Sequence, residues 1–252
     1  MTGSGREENS MQSNTQILHI PARPLTPEQK ETLRQALAEE ESASAGDGPA
    51  SFAGGEISKF WPPGKVLRVY FMGGGDRARN KLMKAAKTWS EFANIKFVAS
   101  EDKDAEIRIS FKDTWTWSVI GTNALGLSHG DPTANCAGYK DLSDKEVEGS
   151  ALMLFGTILG LSSEWVNPRR DIPWDREVVF AAYRAAGWKN EAIENYLFKS
   201  TDASVAQFSK FDPDSIMCAA IPEEWTKGQY RTKPNYELSE TDKKFIAKIY
   251  PK

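Results

Sequence analysis

The chain has 252 residues and a formal net charge of −3, with 32 Lys/Arg and 35 Asp/Glu interspersed along it. No basic stripe with interleaved aromatics occurs, which argues against a nucleic-acid partner. The longest apolar run, Ala151 to Leu161, is too short and too broken by Gly and Thr to span a bilayer, so no membrane partner is expected.

In chain order, the opening MTGSGREENSMQSNTQ is polar and lacks the apolar h-region of a secretory signal, so a cytoplasmic location is expected. Residues 1–16 and 41–56 (ESASAGDGPASFAGGE) read as tail and linker. Between them Thr26, Pro27 and Gln29 mark a helix start with a capping box, and Leu33, Ala36 and Leu37 form one narrow stripe. Residues 1–58 are therefore expected to be a flexible arm with one short helix, and 59–252 a single domain. In that domain VLRVYFM (66–72) predicts a strand, and apolar spacing over Asp76–Ala93 predicts a helix. IKFVAS (95–100) and AEIRISF (105–111) predict two more strands. The latter alternates Ile107, Ile109 and Phe111 with Glu106, Arg108 and Ser110. SVIGTNAL (118–125) reads as a strand or an extended loop. Helices are expected over Lys145–Leu161, near 175–187 and 189–198, and over Ser239–Tyr250, where Ser239 and Asp242 form a capping start. Strands first and helices later is the order of an α+β domain. Cys136 and Cys218 are the only cysteines, too few for a disulfide framework.

The stretch ALMLFGTILGLSSEWVNP (151–168) resembles the active-site helix and turn of astacin-like metzincins, whose signature is H-E-x-x-H-x-x-G-x-x-H. Gly160 fixes the frame. The three histidine positions then fall on Met153, Thr157 and Ser163, the general-base position on Leu154, and Glu164 follows the third ligand position. IPWDREVV (172–179), GWKNEAI (187–193), FDPDSIM (211–217) and LSETDKKFIAKIYPK (238–252) resemble, in order, later segments of the same family, with Met217 as the methionine of the Met-turn. The resemblance covers residues 59–252 and implies a zincin-like fold: a twisted mixed sheet and an active-site helix above a mostly helical lower lobe.

Zinc needs three ligands from His, Cys or carboxylate, and Met153, Thr157 and Ser163 supply none. Leu154 cannot take a proton from water. The two histidines, His19 and His129, stand at no motif position, and Ala219 occupies the place where many astacins carry a tyrosine. No metal and no cofactor are expected, and no catalytic residue for proteolysis. The candidate lining of the former cleft is Met153, Leu154, Thr157, Ser163, Glu164, Trp165, Cys136, Met217 and Cys218. These residues favour an apolar small molecule or a peptide as the occupant. Cys136 is placed on the upper rim strand, where the two thiols either face one another across the cleft or are unrelated buried groups. Trp115, Trp117, Trp165 and Trp174 read as core more readily than as a stacking platform. The expected function is thus that of a proteolytically inactive homologue binding a hydrophobic ligand, peptide or partner. The alternative is a metal-independent enzyme of cyclase or isomerase type.

Overall fold

The computed structural model describes residues 23, 25–43, 59–199 and 210–252. The tail and most of the linker therefore lie outside the described residues. Among the described ones, strands β1 (Val66–Phe71), β2 (Lys96–Ser100), β3 (Ile107–Ser110), β4 (Trp117–Ser118) and β5 (Ala134–Asn135) form one sheet in the order β2-β1-β3-β5-β4. β1 pairs in parallel with β2 and β3, and β3 with β5; only β4 runs antiparallel, beside β5. The helix α2 (Asp76–Ser90) crosses from β1 to β2 and buries Leu82, Ala85, Ala86 and Trp89.

β3 corrects one simple reading of its alternation. Both of its faces are buried, because Arg108, only 3% exposed, spends its guanidinium on the carbonyls of Ala105, Leu127, Ser128 and Asp131. A buried cation is tolerable when its donors are satisfied. The stretch 118–125 is likewise mostly not a strand. After Ser118 the chain turns into a 3-10 helix over Gly121–Gly126.

The helix α3 (Asp144–Ile158) starts on a capping box between Ser143 and Glu146. It is buried nearly all round from Val147 to Ile158, as its hydrophobic composition requires. Three indole or phenol groups tie its carbonyls to distant segments: Trp89 Nε1 donates to Leu152 O at 2.9 Å, Trp61 Nε1 to Ile158 O at 2.8 Å, and Tyr250 Oη to Leu159 O at 2.6 Å. The lower part holds α4 (Arg176–Ala185) and α5 (Asn190–Ile193), the latter continuing as one π-helical turn over Glu194–Phe198, and then α6 (Glu240–Ile249). No helix among the described residues is long and apolar enough to cross a membrane.

The arm helix α1 (Pro27–Ala43) has the predicted capping box: Gln29 N donates to Thr26 Oγ1 at 3.2 Å and Thr26 N to Gln29 Oε1 at 2.9 Å. Over its described residues the arm is docked rather than free. Leu25 and Leu33 enter the core, and a Cβ on Gly126 would stand 2.4 Å from Gln29 O. The apolar stripe anticipated in the sequence finds its surface on the 3-10 helix.

Candidate functional site

α3 ends at Gly160, whose φ of +97° is left-handed and whose missing Cβ leaves room for Lys59 O and Phe60. Leu161 N closes the turn onto Gly156 O at 3.0 Å. This geometry is the one the motif frame assumed. Ser163 then caps a short 3-10 turn, Glu164–Val166, by accepting from Trp165 N at 3.2 Å.

Beneath α3, the chain from 213 to 218 folds into a tight turn. Asp242, at the start of α6, accepts from Ser215 Oγ at 2.6 Å, from Ile216 N at 2.8 Å and from Ser239 N at 2.9 Å. Sequence reasoning saw Asp242 only as a helix cap; its second duty, pinning the turn, depends on a contact 27 residues away along the chain. The turn brings Met217 under α3 so closely that a Cβ on Gly156 would sit 2.4 Å from Met217 Sδ. Glu164 N donates to Met217 O at 3.0 Å, which locks the two segments together.

The former metal positions are packing positions. Met153 is 6% exposed, Leu154 is fully buried and Thr157 is 2% exposed. The Thr157 hydroxyl gives its proton to Met153 O at 3.3 Å, within its own helix. Trp165 is fully buried, with Nε1 donating to Ala219 O at 3.1 Å and its ring edge-on to Trp174 and Trp225. A thioether and two hydroxyls already engaged in the helix and its cap are not zinc donors. Among the described residues no group of three or more His, Cys, Asp or Glu is placed to hold a metal ion. His129 lies on the surface beside Asp104, and His19 is outside the described residues. The residues present do not fit zinc.

Two polar features distinguish the site. Glu164 is buried, and burial, with the charges of Asp242 and Asp212 nearby, pushes its carboxyl up to about 7, against hydrogen bonds from Asn167 Nδ2 at 2.8 Å and Asp212 N at 3.4 Å. Asp242 is raised in the same way by burial, despite the bonds it accepts. Cys218 and Cys136 are free, buried thiols, and burial pushes each up to about 12. Cys218 senses Glu164 and Asp212, whereas Cys136 is shifted by burial alone and hangs from Ser110 O through its backbone. Neither thiol is a thiolate at neutral pH.

Cys136 is also not on the sheet edge. It follows β5, which lies between β3 and β4. The outer strand on that side is β4, Trp117–Ser118, whose second residue opens the stretch 118–125 that reads from sequence as a strand or an extended loop; both of its residues are buried. There the arm's Arg23 N donates to Ser118 O at 2.7 Å, and its guanidinium lies 4.8 Å from the centre of the Trp117 ring.

No protein-family model matches the chain, and no curated protein matches it. Solved structures do. A structure of myroilysin superposes with a TM-score of 0.73 at 33% identity, covering 77% of this chain and 97% of that one. A crystal structure of myroilysin that covers 92% of this chain and all of its own gives a TM-score of 0.62 at 29% identity. The high choriolytic enzyme 1 of medaka (Oryzias latipes), a hatching enzyme zinc-protease, shares the fold alone: 15% identity, 80% and 98% coverage, TM-score 0.55. With the turn at Gly160 and Met217 beneath α3 in place, and 33% identity to myroilysin over 77% of its length, the chain belongs to the astacin-like metzincin family.

Proposed function

We propose that this chain is a non-proteolytic, zinc-independent member of the family that holds an extended peptide segment of a partner along its β4 edge. The packing of the four signature positions carries the reading. Met153, Leu154 and Thr157 are buried side chains, Ser163 is a turn cap, and none offers a metal donor or a base. Binding at the edge is supported by the bond from Arg23 N to Ser118 O, which is the kind of main-chain contact that strand addition uses. An apolar small molecule on the cleft floor is the weaker form of the idea, because Leu154, Trp165 and Cys218 have no exposed surface to give it.

One observation favours a metal-independent enzyme as a second reading. A carboxyl held at about 7 suits a group that gives and takes a proton near neutral pH, and Glu164 is such a group. The test is elemental analysis of the purified protein with a quenched-peptide cleavage assay, with and without zinc, and anisotropy binding of a peptide library. Expected are no stoichiometric zinc, a melting temperature insensitive to chelator, no cleavage, and saturable peptide binding. Stoichiometric zinc with chelator-sensitive cleavage refutes the proposal.

A further inference from the structure

We infer that Trp117 and the Ser118 carbonyl form a docking subsite for an arginine in an extended segment of a partner protein, and that the chain's own Arg23 fills this subsite in cis. The inference rests on the peptide-holding reading above and names the side chain that the edge selects.

One residue of the arm engages two consecutive residues of the edge strand. Arg23 gives its backbone N–H to Ser118 O, and the guanidinium of the same residue lies over the neighbouring Trp117 ring. Strand addition works through the same two kinds of contact, a main-chain bond to the edge and a side chain read out beside it. The ring is held in place from below. Trp117 Nε1 donates to Asp113 Oδ2 at 2.7 Å. Asp113 is fixed in turn by Asn135, which accepts from Asp113 N at 3.3 Å and donates through Nδ2 to Asp113 O at 3.2 Å and Trp115 O at 2.6 Å. A platform fixed before its ligand arrives costs less ordering on binding. A carboxylate accepting the indole N–H also leaves the ring face more electron-rich, which favours a cation above it. Arginine fits better than lysine, because a planar, weakly hydrated guanidinium stacks on a ring where an ammonium does not.

The arm is well placed to compete with a partner. Leu25, two residues beyond Arg23, is buried, and Leu33 anchors α1 on the 3-10 helix. So short a tether presents Arg23 to the edge at an effective concentration of roughly millimolar order. A partner's segment therefore binds by displacing residue 23, and removing the Arg23 side chain uncovers the Trp117 ring face and weakens the arm's hold, while the residue 23 N–H must still be displaced from Ser118 O.

The probe is a labelled hexapeptide copying residues 20–25, Ile-Pro-Ala-Arg-Pro-Leu, with a second peptide carrying Ala in place of the arginine. Anisotropy titrations use the full chain as wild type, as Arg23→Ala, and as Arg23→Ala with Trp117→Leu. Arg23→Ala is expected to bind the arginine peptide at least about tenfold more tightly than wild type. Roughly fivefold of that affinity should be lost on removing either the peptide's arginine or the Trp117 ring. Equal affinity of Arg23→Ala for the two peptides overturns the subsite while leaving peptide holding intact, and equal affinity of wild type and Arg23→Ala overturns the cis occupancy. Failure of Arg23→Ala to bind either peptide overturns both this inference and the proposed function. Should Trp117→Leu misfold, the peptide pair on Arg23→Ala alone decides.

Discussion

Replacing Glu164 by Gln should make the protein progressively more stable than wild type as pH rises from 4 to 8. In the folded chain the Glu164 carboxyl is raised from 4.5 to about 7, first by burial and then by the charges of Asp242 and Asp212. A carboxyl that holds its proton more tightly when folded stabilises the fold at low pH, and that contribution disappears as pH climbs from its unfolded value through its folded one. The rise corresponds to roughly 3 kcal/mol at about 1.4 kcal/mol per tenfold change in proton affinity. The side chain is only 8% exposed, so little of this is screened away by solvent. Gln keeps an acceptor for Asn167 Nδ2 and Asp212 N but cannot ionise. Urea unfolding of both proteins at half-unit pH steps measures the difference directly. The two curves should run together near pH 4 and separate by about 3 kcal/mol near pH 8, equivalent to about 6–12 °C in melting temperature. Asp242 is also raised, so both proteins keep some downward slope, and removal of the nearby Glu164 charge makes the variant's slope shallower. Parallel curves across the range would refute the reasoning, because they would mean that Glu164 is charged and satisfied in the fold.

Gly156→Ala sets two effects against each other. Helix propensity alone favours Ala by about 1 kcal/mol, but its Cβ would stand 2.4 Å from Met217 Sδ and 3.2 Å from Trp89. Overpacking of this kind costs about 1–3 kcal/mol, so a lower urea midpoint is expected, and a raised one would show that Met217 moves aside freely. Cys136 and Cys218, both held at about 12, should be inert to a disulfide reagent at pH 8 in the native protein and both react after unfolding; a fast native phase would contradict their burial. Leu33→Ala should release the arm before it unfolds the domain, at a local cost of about 2–5 kcal/mol. Limited proteolysis would show it as faster cutting before residue 59 with the remainder protected.

The local devices of this fold are written in short-range chemistry. The caps at Thr26 and Ser239 and the strand content of 66–71, 96–100 and 107–110 follow from neighbouring residues, and the structure has them where the sequence put them; the capping box at Ser143 is equally local but went unread. The frame of the degenerate motif was legible too, because only glycine accommodates the left-handed turn at 160 against Lys59 O. That the four signature positions carry no zinc donor was legible as well, because thioether, hydroxyl and alkyl groups stand there.

What the sequence could not supply is pairing and burial, which are set by residues far apart in the chain. Nothing local in Trp117–Ser118 marks it as the sheet edge, or in Ala134–Asn135 as an inner strand; that order arises from the long return of the chain between them. Arg108 looked like a polar-face residue until loop carbonyls from 127–131 closed over it. The raised carboxyl of Glu164 comes from desolvation and from two acids 48 and 78 residues along the chain, a field no motif encodes. The docking of the arm, and Arg23 on Trp117 with it, is likewise decided by the tertiary surface that Leu25 and Leu33 find on the 3-10 helix. Composition and spacing determined which side chains stand at the signature positions; the folded contacts decided how those side chains are buried and what the arm covers.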